Sequence, residues 1–158
     1  MSSKGISQQG DITDTREGPQ TLVEGDSGAY AWRDTTRATG ICFQRSELAS
    51  ASIRDGLWNT YFAGEKYVAA GAYDTYDDRG YDQSAYGGVD LDLSRWVIEP
   101  PLRDGLSFEV RRFGSAHAGG CHFVFCDGAV RLIRYDINAE MHRRLGNRQD
   151  RLPVNPEW

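Results

Sequence analysis

The sequence predicts an α+β, β-rich fold: an antiparallel sheet that includes a C-terminal hairpin, followed by a short terminal helix. Three observations predict it. Two apolar-rich runs, 121–126 and 129–135, are separated by Asp127-Gly128, a strong short-range hairpin signal. Residues 59–68 follow an Asp55-Gly56 turn signal and are rich in aromatic and β-favouring side chains. Finally, the stretch YDINAEMHRRLGNR places Ile137, Met141 and Leu145 four apart, the spacing of a buried helical stripe.

The elements follow in order. Residues 1–20 are polar and rich in Gly, Ser, Gln and Thr, which predicts a disordered N-terminal segment. Residues 21–158 read as a single domain. Short strands are expected near 21–24, 29–33 and 41–45, with a helical turn starting near Ser46. In the strand over 59–68, Tyr61, Ala63, Glu65 and Tyr67 are expected on one face and Thr60, Phe62, Gly64, Lys66 and Val68 on the other. Gly64 marks a bulge or a close backbone approach. Residues 73–93 read as a long irregular acidic loop, and Pro100-Pro101 closes a short segment around Trp96.

For the hairpin, a two-residue type I′ turn at Asp127-Gly128 pairs Phe125 with Val130 and Phe123 with Leu132. These four residues then form one apolar face. The other face carries His122, Val124, Cys126, Ala129, Arg131 and Ile133. In the helix, Asp136 or Asn138 is the N-cap and Gly146-Asn147 the stop. Glu140 suits the positive end of the helix; His142, Arg143 and Arg144 suit the negative end.

Composition narrows the function. The chain has 158 residues, a formal charge of −5 and 39% hydrophobic residues. The acidic balance argues against a nucleic-acid partner recruited by net charge. No apolar run reaches the ~18 residues that span a bilayer, and the N-terminus lacks the apolar core of a signal peptide. Three cysteines, Cys42, Cys121 and Cys126, do not make a disulfide framework.

The stretch HAGGCHFVFCDG concentrates His117, His122, two cysteines and Asp127. Strand geometry argues against a metal site along it. Cys121 and Cys126 point to opposite faces, and His122 and Cys126 lie ~13 Å apart along one strand. A Cys–His nucleophile pair lacks an evident oxyanion hole or orienting group. The stretch therefore reads as hairpin architecture, with no catalytic residue. Two site readings stand elsewhere. Asp74, Asp77, Asp78 and Asp82 surround Gly80 in the acidic loop and offer oxygen ligands to calcium, although the spacing fits no EF-hand. Arg131, Arg134, Arg143 and Arg144 offer a basic face for a protein partner.

These residues also carry a family resemblance. His117, nine intervening residues and Asp127-Gly128 match the H-x9-D-G pattern of a bacterial prepilin-type family. The flanks Phe113-Gly114-Ser115-Ala116 and Ala129-Val130-Arg131 resemble it as well. So do the ending from His142 to Arg148, Asn59-Thr60-Tyr61 with Gly64-Glu65-Lys66-Tyr67, and Asp82-Gln83-Ser84. The resemblance runs from about Trp32 to the end. It implies a pseudopilin-like protein, related to type II secretion, whose β-rich head follows an N-terminal membrane-anchoring helix. On that reading the chain looks like the C-terminal, head portion of a member, without the leader and helix. The resemblance implies a non-enzymatic assembly module with protein partners, such as other pseudopilin-like subunits. Full-length members are expected at the inner membrane, facing the periplasm. A calcium-binding module is the alternative, and a hydrolase acting through His117 or a cysteine a lesser one. A head without its helix is also expected to expose apolar surface and strand edges.

Overall fold

A computed structural model of the chain describes residues 2–4, 19–32, 34–75, 77, 78, 80 and 93–155. In chain order the strands are β1 (Ser2–Lys4), β2 (Tyr61–Gly64), β3 (Ser94–Trp96), β4 (Leu102–Arg103), β5 (Gly114–Ser115), β6 (Cys121–Phe125) and β7 (Val130–Ile133). The α-helices are α1 (Leu22–Asp26) and α2 (Ala139–Leu145). The central sheet has the order β2-β6-β7 and is antiparallel throughout. Two small parallel pairs, β1-β3 and β4-β5, flank it. The fold is therefore α+β with a small antiparallel sheet and a short C-terminal helix, as the sequence predicts.

The strand expected near 21–24 is instead the helical turn α1. The Thr21 hydroxyl accepts from Glu24 N at 3.1 Å, and the Glu24 carboxylate accepts from Gln20 N at 2.8 Å. Thr-x-x-Glu is a capping-box pattern, and here it outweighs the local β propensity. Residues 29–32 and 41–45 form no strand. In residues 59–68 the regular strand is only Tyr61–Gly64; Leu57–Asn59 is a 3-10 turn, and Lys66 makes an isolated bridge to Phe113.

The hairpin forms in a different register from the expected one. Val124 pairs with Val130, Phe123 with Arg131, His122 with Leu132 and Cys121 with Ile133. The loop has three residues, not two. Gly128 N donates to Phe125 O and Phe125 N donates to Ala129 O, each at 2.9 Å. Gly128 alone takes the left-handed conformation, at φ +85°. This is a type I turn closed by a glycine bulge, the usual three-residue hairpin. A one-residue slip moves every β7 side chain to the other face. Ile133 thus enters the core at 0% exposure, while Val130 and Leu132 face outward at 66% and 45%.

The core lies between the inner face of this sheet and α2. It holds Tyr61, Val97, Phe113, Cys121, Phe123, Phe125, Ile133, Ile137 and Leu145. Tyr61 stacks on Phe123 with centroids 4.1 Å apart, and Phe125 meets Tyr61 edge-on at 5.1 Å. The expected helical stripe is present. Asn138 is the cap, accepting from Glu140 N and Met141 N, and Ile137 and Leu145 are buried. His142, Arg143 and Arg144 lie in the last turn, as expected, and His142 is fully buried there.

Gly64 is a close approach beside a bulge. The β2-β6 register shifts between Tyr61 and Ala63, and a Cβ on Gly64 would lie 2.5 Å from the Phe123 ring. The Gly64→Ala variant should therefore lose roughly 1–3 kcal/mol through overpacking. Urea denaturation checks this: the expected result is a lower midpoint at unchanged m-value.

Candidate functional site

The most concentrated chemistry lies at the end of β2 and the start of β6. Beyond the bulge, Gly64 pairs with Phe123, and Glu65 N donates to His122 O at 3.1 Å. Glu65 therefore shares the outer face with His122. The expected simple alternation placed Glu65 with Tyr61, on the face that is buried. The bulge inserts one residue and reverses that phase.

The Glu65 carboxylate bridges two histidines. Its Oε1 lies 3.2 Å from His117 Nε2 and its Oε2 lies 3.2 Å from His122 Nδ1. Oε2 also accepts from His122 N at 2.6 Å. The two imidazoles stand nearly perpendicular, with centroids 5.1 Å apart. One ligand atom from each residue can be chosen so that all three lie within 4.8 Å of one another.

His117 belongs to the loop between β5 and β6, and this loop is held firmly. The Tyr135 hydroxyl reaches His117 O at 2.7 Å and Ser115 O at 3.0 Å. Ser115 Oγ accepts from His117 N at 3.2 Å and donates to Gly120 O at 3.1 Å. Gly120 passes so close to Ile133 O that a Cβ has no room.

The other half of the motif is turn architecture. Asp127 Oδ1 accepts from Ala129 N at 2.9 Å and Oδ2 from Arg131 at 3.0 Å. These bonds, the backbone one foremost, hold its carboxyl below the usual range. His117 and Asp127-Gly128 thus flank opposite ends of β6.

The remaining sequence-predicted residues are spread out. Asp74 and Asp77 are exposed. Asp78 is buried, its two oxygens accepting from Ala69 N and Gly80 N at 2.9 Å each, so it holds the backbone of its own loop. Asp82 lies outside the described residues. Of the arginines, Arg131 packs 4.1 Å over the Phe125 ring and bonds Asp127 and Trp58 O. Arg134 pairs with Asp136 through two bonds, and Arg143 and Arg144 both pair with Glu140. Arg143 first and then Arg144 hold Glu140 down to about 2.

The cysteines are free thiols. Burial pushes Cys121 well up and Cys126 up to about 11. Both groups are therefore protonated near neutral pH, whereas a nucleophile needs the thiolate.

A protein-family model described as a protein of unknown function (DUF1559) matches residues 3–140. The chain belongs to the DUF1559 family. The match begins well before Trp32, where the sequence resemblance was expected to start, and it ends inside α2. It contains Glu65, His117, His122, Asp127 and Gly128. DUF1559 is associated with pilin-like, prepilin-type proteins. No curated protein and no solved structure matches the chain. Among the described residues, no helix is long and apolar enough to cross a membrane.

The third histidine has a different role. His142 Nδ1 lies 3.2 Å from the Tyr61 hydroxyl, and Nε2 has no hydrogen-bond partner among the described residues. Burial pushes this imidazole from its ordinary 6.5 down to about 3. The unfolded chain therefore takes up this proton first as pH falls. The stability associated with neutral His142 is complete above about pH 6.5 and is lost toward pH 3. Between pH 7 and pH 5 the loss should be on the order of 2 kcal/mol. Urea midpoints at the two pH values measure it, and His142→Leu should flatten the difference.

Proposed function

We propose that this chain is a non-enzymatic assembly module, the head of a pseudopilin-like protein, acting by protein–protein contact across the outer face of its central sheet. One observation carries the reading. The bulge and the hairpin register together turn Phe62, Val130 and Leu132 outward, at 55%, 66% and 45% exposure, around the half-buried Val124. Val124 and Val130 are direct cross-strand partners and Leu132 shares their face of the sheet, so these three form an apolar strip, with Phe62 exposed on the bulged β2. Such strips, rimmed by polar groups, are typical of contact surfaces. Among the described residues β7 is also an edge of the sheet, and an edge strand can offer ladder groups to another chain.

Two further points support the reading. The family is associated with pilin-like proteins, and a pilin-like head works by packing against neighbouring subunits. In addition, burial holds the Cys121 and Cys126 thiols protonated, which disfavours a hydrolase acting through either of them. A role beside a type II secretion-like filament is the finer form of the proposal, with other pseudopilin-like subunits as the partners.

The double variant Val130→Lys/Leu132→Lys tests it. Both side chains are exposed, so the thermal midpoint should move by less than about 3 °C. Cross-linking in the source cell should show at least a tenfold loss of heteromeric species containing this chain. Undiminished cross-linking would overturn the assignment of this face.

A further inference from the structure

We propose that Glu65, His117 and His122 form a binding site for a first-row divalent transition metal, with Zn2+ as the best-fitting ion. The donor set is two imidazole nitrogens and one carboxylate. Imidazole favours zinc, copper or nickel, whereas calcium requires six to eight oxygens. Zinc with ligands at ~2.0–2.2 Å in tetrahedral geometry holds them about 3.4 Å apart. The two carboxylate-to-imidazole separations are 3.2 Å, each to a different oxygen, and one ligand atom from each residue lies within 4.8 Å of the others. Side-chain rotations of about an ångström bring the three to the spacing that the ion needs.

The site is also well supported. Glu65 and His122 are fixed by neighbouring backbone bonds between β2 and β6. His117 is fixed by Ser115 and Tyr135. Such outer contacts hold ligands in place and lower the ordering cost of binding. All three side chains are partly solvent-exposed, at 32% for Glu65, 57% for His117 and 45% for His122. An ion can therefore enter, and at least one coordination position remains for water. The chemical effect is a staple: the ion ties the loop before β6 to the end of β2. In its absence the carboxylate makes the weaker version of the same link, through a hydrogen bond to the His122 ring and a 3.2 Å contact with the His117 ring.

The site borders the apolar strip, since His122 pairs with Leu132.

The experiment uses the full chain, stripped by chelator and titrated with ZnCl2, with CaCl2 in parallel. Zinc at a hundredfold excess over its dissociation constant should raise the thermal midpoint by about 5 °C. Calcium at the same concentration should not. His117→Gln, at an exposed loop position, should fold normally and weaken zinc binding at least tenfold, and His122→Gln should do the same. X-ray absorption of the zinc-loaded protein should show nitrogen and oxygen neighbours with imidazole scattering. No midpoint shift in the unaltered protein would overturn the proposal. So would an equal shift in both histidine variants, or sulfur in the first coordination sphere.

Discussion

The bare Cα of Gly64 pressed against the ring of Phe123 is the contact on which the rest of the structure depends. It lets β2 come close enough to β6 for Tyr61 to stack on Phe123, with Phe113 4.8 Å from the same ring. Any side chain at position 64 would hold the strands apart. Together with the register shift at Tyr61/Ala63, it fixes which residues beyond the bulge face inward. Packing of this density tolerates little change in volume, so the phase of the strand is set by a steric constraint and not by propensity.

Two faces with different chemistry result. The inner face carries the aromatic stack, and α2 covers it with Leu145 and a neutral, desolvated His142. The outer face carries the apolar strip and, at its end, the carboxylate with its two imidazoles. The same one-residue insertion that brings Gly64 under Phe123 turns Glu65 outward, beside His122. A structural requirement of the core thereby places the most reactive group of side chains on the surface.

The C-terminal segment closes the domain through polar bonds. Arg148 reaches Ala38 O and Gly40 O at 2.6 and 2.7 Å, and its own carbonyl accepts from Arg54 N and Asp55 N. The Asp55 carboxylate in turn accepts from Asp150 N and Arg151 N. The arginines read along the chain as a basic face each have an acidic neighbour: Arg143 and Arg144 share Glu140, and Arg134 is held by Asp136. The exposed ion pairs add little stability individually.

What the sequence alone determined is local. Asp127-Gly128 between apolar runs specified a hairpin, because glycine accepts the left-handed position at little steric cost. The spacing of Ile137, Met141 and Leu145 after Asn138 specified the capped helix. Gly64 was marked as a bulge or close approach. Residues 21–24 read as a strand, and the helical turn capped by Thr21 emerged only in the structure. Only the tertiary structure decided phase. The choice between a two-residue and a three-residue turn shifts β7 by one position, and it depends on whether Ile133 or Leu132 fits beneath α2. The Glu65–His117–His122 cluster was hidden for the same reason. Its members are separated by a loop and by fifty-seven positions between Glu65 and His122. They meet only once the bulge has set the β2-β6 register. Propensity and turn chemistry act over a few residues; side-chain facing is fixed by volume, which exists only when the strands pack.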